Sequence, residues 1–179
     1  DVVMVGEMRD VETAQIGIQA SLTGHLVLST VHTNSAVAAI TRLRDMGIES
    51  FLLASSLRTI ISQRLVRRLC LSCKKEELPS KNSTKLFNLD TNKKVFTSSG
   101  CDDCSNTGYQ GRIAIAECIQ VDKTLKEMIH NNASENLISE HVFKNNQSID
   151  EASSELISKG ITSCEELIRI NNLQENASL

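Results

Sequence analysis

Two C-x-x-C pairs are the feature that most constrains how this chain folds. Cys70 and Cys73 form the first pair, Cys101 and Cys104 form the second, and 27 residues separate the two pairs. Each pair can present two sulfurs from one tight turn, so together they offer four thiolates to one tetrahedral ion. The spacing therefore predicts a metal site that closes the intervening chain into a loop.

Structural zinc is the interpretation that this ligand set favours. The chain shows no recognisable export signal among its 179 residues, which indicates a reducing compartment. All-thiolate sites there select zinc or iron–sulfur chemistry. Four protein ligands leave no open position on zinc, so no catalytic role is expected for it. Two further cysteines, Cys118 and Cys164, lie on apolar-patterned segments and are predicted to be core residues.

The chain divides into three segments by composition. Residues 1–69 alternate apolar runs with amphipathic helices, which predicts an α/β fold with a parallel sheet whose strands are buried on both faces. A third, long helix is expected to carry on one face Leu53, Leu57, Ile60 or Ile61, Leu65 and Leu69. Residues 70–118 form the predicted zinc subdomain, in which the polar stretch 76–98 is expected to be a loop. Residues 119–179 are predicted to be a small helical subdomain.

Several helix ends carry local signals. N-caps are predicted from hydrogen-bonding side chains, and the predicted cap residues are Asp10, Asn34 or Ser35, Asp122, and Ser148 or Asp150. Thr162 with Glu165 fits a capping box before the last helix. Gly24, Gly47 and Gly160 are predicted to end helices.

Polar residues follow the two apolar runs of the predicted sheet. Glu7 comes after the first run and His32 ends the second. Ligands bind beyond the carboxyl ends of parallel strands, and a carboxylate there could orient or deprotonate an attacking water. Without further information, the residues favour a non-catalytic interpretation, in which Glu7 is a solvated loop carboxylate and His25 and His32 are hydrogen-bonded structural histidines.

Longer strings resemble a known family. The segments VVMVGEMRDVETA, LTGHLVLSTVHTNSAVAAITRLRDMG and SLRTIISQRLVRRLC are similar to the hexameric secretion and pilus-assembly ATPases, which are RecA-like P-loop NTPases. The resemblance continues through CLSC, GCDDCSNTGYQGRIAIAE and GITSCEELIRI, so it covers nearly the whole chain. One small departure is Ala114, where the family usually has Gly.

The resemblance implies roles for individual residues. Gly6 and Glu7 fall at the end of the family's atypical Walker B strand, and TGHLVLSTVHTN matches its histidine box. Glu7 is then the catalytic carboxylate that acts on water, and His32 senses the γ-phosphate or the subunit interface. Arg9 supports the site electrostatically, while Gly6 and His25 are nucleotide-binding positions.

The resemblance also implies an architecture and a setting. This chain would be the C-terminal half of a RecA-like sheet with a four-cysteine zinc subdomain and a helical tail. The intact protein would use ATP and Mg²⁺ as a cytoplasmic homo-hexamer, peripheral at the inner membrane. Its partners would be an inner-membrane platform protein and the cytoplasmic components of a secretion or pilus machine. The cysteine subdomain is implied to mark the secretion and pilus-extension branch.

Two alternatives stay open. A zinc-ribbon module could bind nucleic acid or protein, although the net charge of −3 argues against nucleic acid. Arg64, Arg67 and Arg68, expected on one helix, fit a solvated face better than a phosphate or subunit contact. The chain could also be the non-functional remnant of a disrupted gene.

The isolated chain is expected not to hydrolyse ATP. Asp1 lies inside an apolar run, which suggests a piece of a longer protein, and no G-x-x-x-x-G-K-[ST] string occurs in the sequence. That loop supplies the amides and the lysine that hold the β- and γ-phosphates. Release of phosphate from Mg-ATP by the purified chain should equal that of its Glu7→Gln variant. Turnover that exceeds the variant's would contradict this expectation.

Overall fold

A computed structural model describes the backbone of residues 1–177 and the side chains of residues 1–170. The helices are α1 Val11–Leu22, α2 Ala36–Asp45, α3 Ser50–Ser56, α4 Lys81–Phe87, α5 Lys123–His130, α6 Glu135–Val142, α7 Ile149–Ser158 and α8 Cys164–Ala177. The strands are β1 Val2–Val5, β2 Leu26–Ser29, β3 Thr59–Leu69, β4 Lys75–Glu77, β5 Val95–Thr97 and β6 Tyr109–Gln120. A 3-10 turn spans Asp102–Cys104.

The described strands form three pairs. β1 pairs with β2, β3 with β6, and β4 with β5. β1 and β2 are parallel, as the alternation of strand and helix predicted, with Val2 opposite Leu26 and Met4 opposite Leu28. Among the described residues, no helix combines the length and apolar character needed to cross a bilayer.

The chain forms two compact units, each built from two stretches of sequence. The first unit contains residues 1–62 and 118–146, and the second contains residues 63–117 and those from 147 onward. The consecutive segments 1–69, 70–118 and 119–179 stay a prediction about the domains of the intact protein.

The first unit packs helices around a core of aliphatic side chains. Its most buried members are Ile40, Leu53, Ile119, Leu125 and Ile129, all 0% exposed. The helix starts follow the predicted signals, because the side chains of Asp10, Ser35 and Asp122 accept from the free amides of α1, α2 and α5.

The strands of the first unit are not buried on both faces, contrary to the prediction. Val2 is 65% exposed and Met4 75%, and their partners Leu26 and Leu28 are about half exposed. The opposite face approaches α1, where a Cβ on Gly17 would lie 3.7 Å from Val27. One face of this strand pair therefore carries four large apolar side chains in solvent.

The predicted long third helix is wrong. α3 ends at Ser56, and Leu57 adopts an extended backbone with ψ of 132°. The residues from Thr59 form β3, whose side chains alternate between exposed and half-buried. Three β-branched residues, Thr59, Ile60 and Ile61, favour the strand.

The predicted loop at 76–98 contains regular structure. β4 and β5 form an antiparallel pair, with Glu76 opposite Phe96. Ser80 caps α4 through a hydrogen bond from the Ser83 amide. The apolar residues Phe87 and Val95 are each 4% exposed in the core of the second unit. These two side chains, together with the half-buried Leu89, pack this otherwise polar stretch against the core.

The predictions for two cysteines and for two helix caps are each half confirmed. Cys164 is buried as predicted, whereas Cys118 is exposed on β6, so its prediction as a core residue is wrong. The Ser148 capping box is present at α7. At α8 the hydroxyl that accepts from the helix is Ser163, bonded by the Glu166 amide, rather than Thr162.

A buried carboxylate ties α8 to β3 in the second unit. Glu166 is 1% exposed and accepts two bonds from the Arg67 guanidinium and one from its backbone amide. Arg169 donates two more. Arg67 also stacks on Tyr109, 4.1 Å from the ring centre. Arg64, Arg67 and Arg68 therefore lie on strand β3 and not on a helix. Arg67 forms an ion pair with Glu166 and is not part of a solvated face.

This ion pair makes stability depend on pH. Burial raises the pKa of Glu166, but the hydrogen bonds from Arg169 and Arg67 outweigh it and lower the pKa to about 2. Because the unfolded chain takes up the proton first, the contribution is complete above pH 4.5 and is lost as the pH falls towards 2. We expect this loss to reach about 2 kcal/mol, allowing for screening of the half-exposed arginines.

Urea unfolding between pH 7 and pH 3 measures this loss. Glu166→Gln should lower stability at pH 7 and flatten the acid dependence. Glu165→Gln, at the exposed neighbouring position, should keep the wild-type slope. Equal slopes for all three proteins would rule out the buried ion pair as the source.

Candidate active site and candidate metal centre

Glu7 lies just beyond β1 in the first unit, at the carboxyl end of the parallel strand pair. Arg9 Nε donates a hydrogen bond to Glu7 Oε2 at 2.6 Å. His32, which follows β2, places Nε2 3.2 Å from Glu7 Oε1. The structure thus brings together the three residues that the sequence predicted as catalytic.

A hydroxyl that the sequence analysis did not single out fixes the backbone around Glu7. Thr30 Oγ1 donates to the carbonyl of Gly6 at 2.7 Å. The Met8 amide donates to the Thr30 carbonyl at 3.0 Å. Both neighbours of Glu7 are therefore held by Thr30. The sequence feature that could have indicated this role is a hydroxyl residue near the end of the second apolar run.

Exposure and charge define what this cluster can do. The Glu7 side chain is 20% exposed, whereas Arg9 and His32 are 77% and 89% exposed. A carboxylate oxygen can accept two hydrogen bonds, so each Glu7 oxygen retains capacity for water. The exposed guanidinium and imidazole present donors that suit an anionic ligand such as a phosphate. The arrangement can orient a water molecule next to such a group.

His25 lies apart from this cluster, at the other end of β2. Its Nδ1 is 3.2 Å from the Ala20 carbonyl and 3.3 Å from Thr23 Oγ1, at the end of α1. Gly6 has open space around it, since a Cβ there would meet no heavy atom within 4 Å. The nucleotide-binding roles of these two residues stay predictions.

The four predicted metal ligands converge in the second unit. Their sulfur atoms all lie within 4.8 Å of one another. The Cys70 and Cys101 sulfurs are 3.9 Å apart, the Cys73 and Cys104 sulfurs 3.8 Å, and the Cys101 and Cys104 sulfurs 3.7 Å. A tetrahedral zinc with bonds of about 2.3 Å requires sulfur separations of roughly 3.8 Å. The donor set and its spacing therefore fit zinc.

Backbone amides prepare one sulfur of this cluster as a thiolate. The Cys101 and Gly108 amides donate to Cys104 Sγ at 3.3 and 3.2 Å. Burial of the Cys104 thiol opposes its ionisation, but these bonds and the adjacent thiols lower its pKa, while the pKa of the neighbouring Cys101 thiol is raised, chiefly by burial. Metal ligands must be deprotonated, so the geometry favours cation binding. The sequence analysis did not predict this role for Gly108. The sequence feature that could have indicated it is a glycine four residues after a metal-ligand cysteine.

Removal of two ligands should abolish metal binding. Cys101→Ser with Cys104→Ser is expected to reduce zinc from about one ion per chain to near zero, because two remaining sulfurs cannot enclose the ion. Elemental analysis of the purified protein measures the content. Cys118→Ser, at the exposed cysteine outside the cluster, should retain the wild-type content. A wild-type protein with far less than one zinc would contradict the assignment.

Comparison with known proteins identifies relatives along the whole chain. The family model described as "Type II/IV secretion system protein" matches residues 1–169. The type II secretion system ATPase E of Vibrio cholerae serotype O1 is 51% identical over 174 residues, covering 95% of this chain and 34% of the relative. The type II secretion system protein E of Aeromonas hydrophila is 47% identical over 173 residues, with the same coverage. This chain thus spans about a third of the length of these relatives.

Solved structures support the fold. The pilus retraction motor PilT, solved with bound ADP, aligns with a TM-score of 0.62 at 24% identity over 93% of this chain and 38% of the motor. The Legionella pneumophila ATPase DotB gives a TM-score of 0.63 at 20% identity over 96% of this chain and 38% of the ATPase. The fold is therefore the α/β fold of the RecA-like secretion and pilus ATPases. With a family model that matches residues 1–169 and relatives about half identical in sequence, this chain belongs to the type II/IV secretion system protein family.

Proposed function

We propose that this chain carries the water-activating carboxylate and the structural metal site of a type II secretion ATPase. The observation that carries the proposal is the cluster of Glu7, Arg9 and His32, whose contacts are no longer than 3.2 Å. It stands at the carboxyl end of a parallel strand pair, where α/β proteins bind ligands. The names of the relatives favour type II secretion over pilus extension.

Each residue of the cluster has a proposed role. Glu7 orients the attacking water and accepts its proton. His32 senses the terminal phosphate of ATP or a neighbouring subunit, and its high exposure leaves it accessible to either. Arg9 holds the carboxylate through its Nε while the rest of its guanidinium faces solvent. Gly6 and His25 contribute to the nucleotide site.

The nucleotide itself requires groups from a longer protein. A P-loop in that protein would hold the phosphates, and Mg²⁺ would neutralise charge on them. The four-cysteine site would hold zinc for structure alone, because its four ligands leave no position open.

The proposed setting follows from the family. The intact ATPase would assemble as a homo-hexamer in the cytoplasm, peripheral at the inner membrane. It would act on an inner-membrane platform protein and on cytoplasmic components of the secretion machine, with hydrolysis driving domain motion.

Two glutamate-to-glutamine variants, one at Glu7 and one at a control position, test the role of Glu7. In a longer protein that carries this chain with a P-loop, Glu7→Gln should reduce kcat about 100-fold or more, because the amide cannot accept the proton of water. Nucleotide affinity should change little. Glu12→Gln, an exposed carboxylate in the first turn of α1, is the control and should keep the wild-type rate. Steady-state phosphate release and equilibrium binding of a fluorescent nucleotide measure the two quantities.

The outcome separates two roles for the carboxylate. Loss of affinity with an unchanged kcat would assign Glu7 to binding. An unchanged kcat together with unchanged affinity would remove Glu7 from the mechanism.

A further inference from the structure

The turn between α7 and α8, residues 160–163, accepts hydrogen bonds from the residues on either side of the first cysteine pair, from the backbone of Leu69 and from the side chain of Lys74. Leu69, immediately before that pair, donates its amide to the carbonyl of Ile161 at 2.8 Å. Lys74, immediately after it, donates from Nζ to the carbonyl of Gly160 at 3.0 Å. We call residues 70–73 the first knuckle and residues 101–104 the second. The residues that flank the first knuckle therefore donate hydrogen bonds to two consecutive carbonyls of one turn.

The second cysteine pair reaches the same turn. The Gly108 amide donates to Cys104 Sγ at 3.2 Å. The next residue, Tyr109, places its hydroxyl 2.7 Å from Ser163 Oγ. The Cys70 amide also donates to the Gly108 carbonyl at 3.0 Å, which joins the two knuckles. The turn thus bridges segments that a bound metal would fix relative to each other.

The Phe96 ring packs closely against Gly160 of the turn and against Lys74. Lys74 Nζ lies 4.4 Å above the ring centre of Phe96, on β5. Gly160 has a φ of +63°, and a Cβ built on it would lie only 2.3 Å from Phe96 Cδ2. Both the backbone conformation and the space therefore require glycine at this position.

The first residues of α8 continue the attachment. Thr162 is fully buried and donates from Oγ1 to the Arg67 carbonyl at 2.8 Å. Ser163, also fully buried, accepts from the Glu166 amide and so begins the helix. The Arg67 guanidinium in turn donates two hydrogen bonds to the Glu166 carboxylate. These contacts all lie within the second unit, so the turn and α8 share one hydrogen-bonded frame with the knuckles.

We propose that metal loading of the four-cysteine cluster docks the α7–α8 turn, so that the ion controls the attachment of α8 as well as the order of residues 70–104. Four sulfurs bound to one ion set the distance between the two knuckles, and the turn bonds at once to the residues that flank the first knuckle and to Tyr109, which follows the second. Without the ion the knuckles separate, and the turn can bond to only one of them. Linkage is reciprocal, so a change in the turn that touches no sulfur must weaken metal binding.

Hydrogen exchange of the wild-type chain tests the first half of this coupling. The Leu69 and Arg67 amides donate to the turn and to Glu166, so they report on docking. A zinc chelator should accelerate their exchange at least tenfold, while the amides of α2 in the first unit keep their rates. Unchanged protection at Leu69 and Arg67 after the zinc has left would overturn the proposal.

Zinc affinity of variants in the turn tests the reciprocal half. Gly160→Ala should weaken zinc binding about fivefold or more, measured by competition with a chromophoric chelator. Ser158→Ala is the matched control, because its hydroxyl donates to the Ser154 carbonyl within α7 and bonds to no residue of the turn among those described. Tyr109→Phe is a milder second variant, which removes one hydroxyl, keeps the ring, and should weaken binding in the same direction.

The variants separate coupling from a purely local metal site. If Gly160→Ala fails to fold, Tyr109→Phe and the wild-type exchange experiment decide the question. Zinc affinities equal to that of Ser158→Ala in the folded variants would show that the ion holds the knuckles alone and would overturn the proposal.

Discussion

The convergence of four sulfurs from two distant turns is the constraint on which the second unit depends. The two pairs are 27 residues apart in sequence, and the segment between them supplies few apolar side chains. Sulfur separations near 3.8 Å leave space for one tetrahedral ion and little else. The second unit also has its own hydrophobic core, which includes Val66, Ile115 and Ile157. The coordination site therefore adds to that core where the polar stretch supplies few apolar side chains.

The first unit uses a different principle, because backbone pairing aligns its reactive groups. Parallel strands end at the same edge, and one residue, Thr30, bonds to the residues on both sides of Glu7, to Gly6 through its hydroxyl and to Met8 through its backbone carbonyl. The carboxylate is thereby held against Arg9 and His32, even though those two side chains are mostly in solvent. Order at this cluster comes from the loop backbone, which lets exposed side chains reorganise around a ligand.

Local chemistry explains which features could be predicted. Asp10, Ser35, Asp122 and Ser148 cap helices as expected, because a cap depends on residues within one turn. β3 was mistaken for helix because its leucines and isoleucines also recur at three- and four-residue spacing. The site residues were selected from strand ends and from longer family strings.

Long-range partnerships escaped the sequence analysis. Arg67 and Glu166 are 99 residues apart, and nothing local shows that a basic residue on a strand will bury a carboxylate of the last described helix. The same holds for Lys74 and the carbonyl of Gly160. The polar composition of residues 76–98 predicts a loop, because the anchoring role of Phe87 and Val95 depends on a core assembled from elsewhere in the chain.

The exposed face of β1 and β2 has a consequence for the handling of this chain in solution. Val2, Met4, Leu26 and Leu28 stand side by side on a strand pair whose outer edges have no further strand among the described residues. Such a surface is a template for pairing with another copy. Self-association of this chain should therefore increase with protein concentration, and charged substitutions on this face should reduce it.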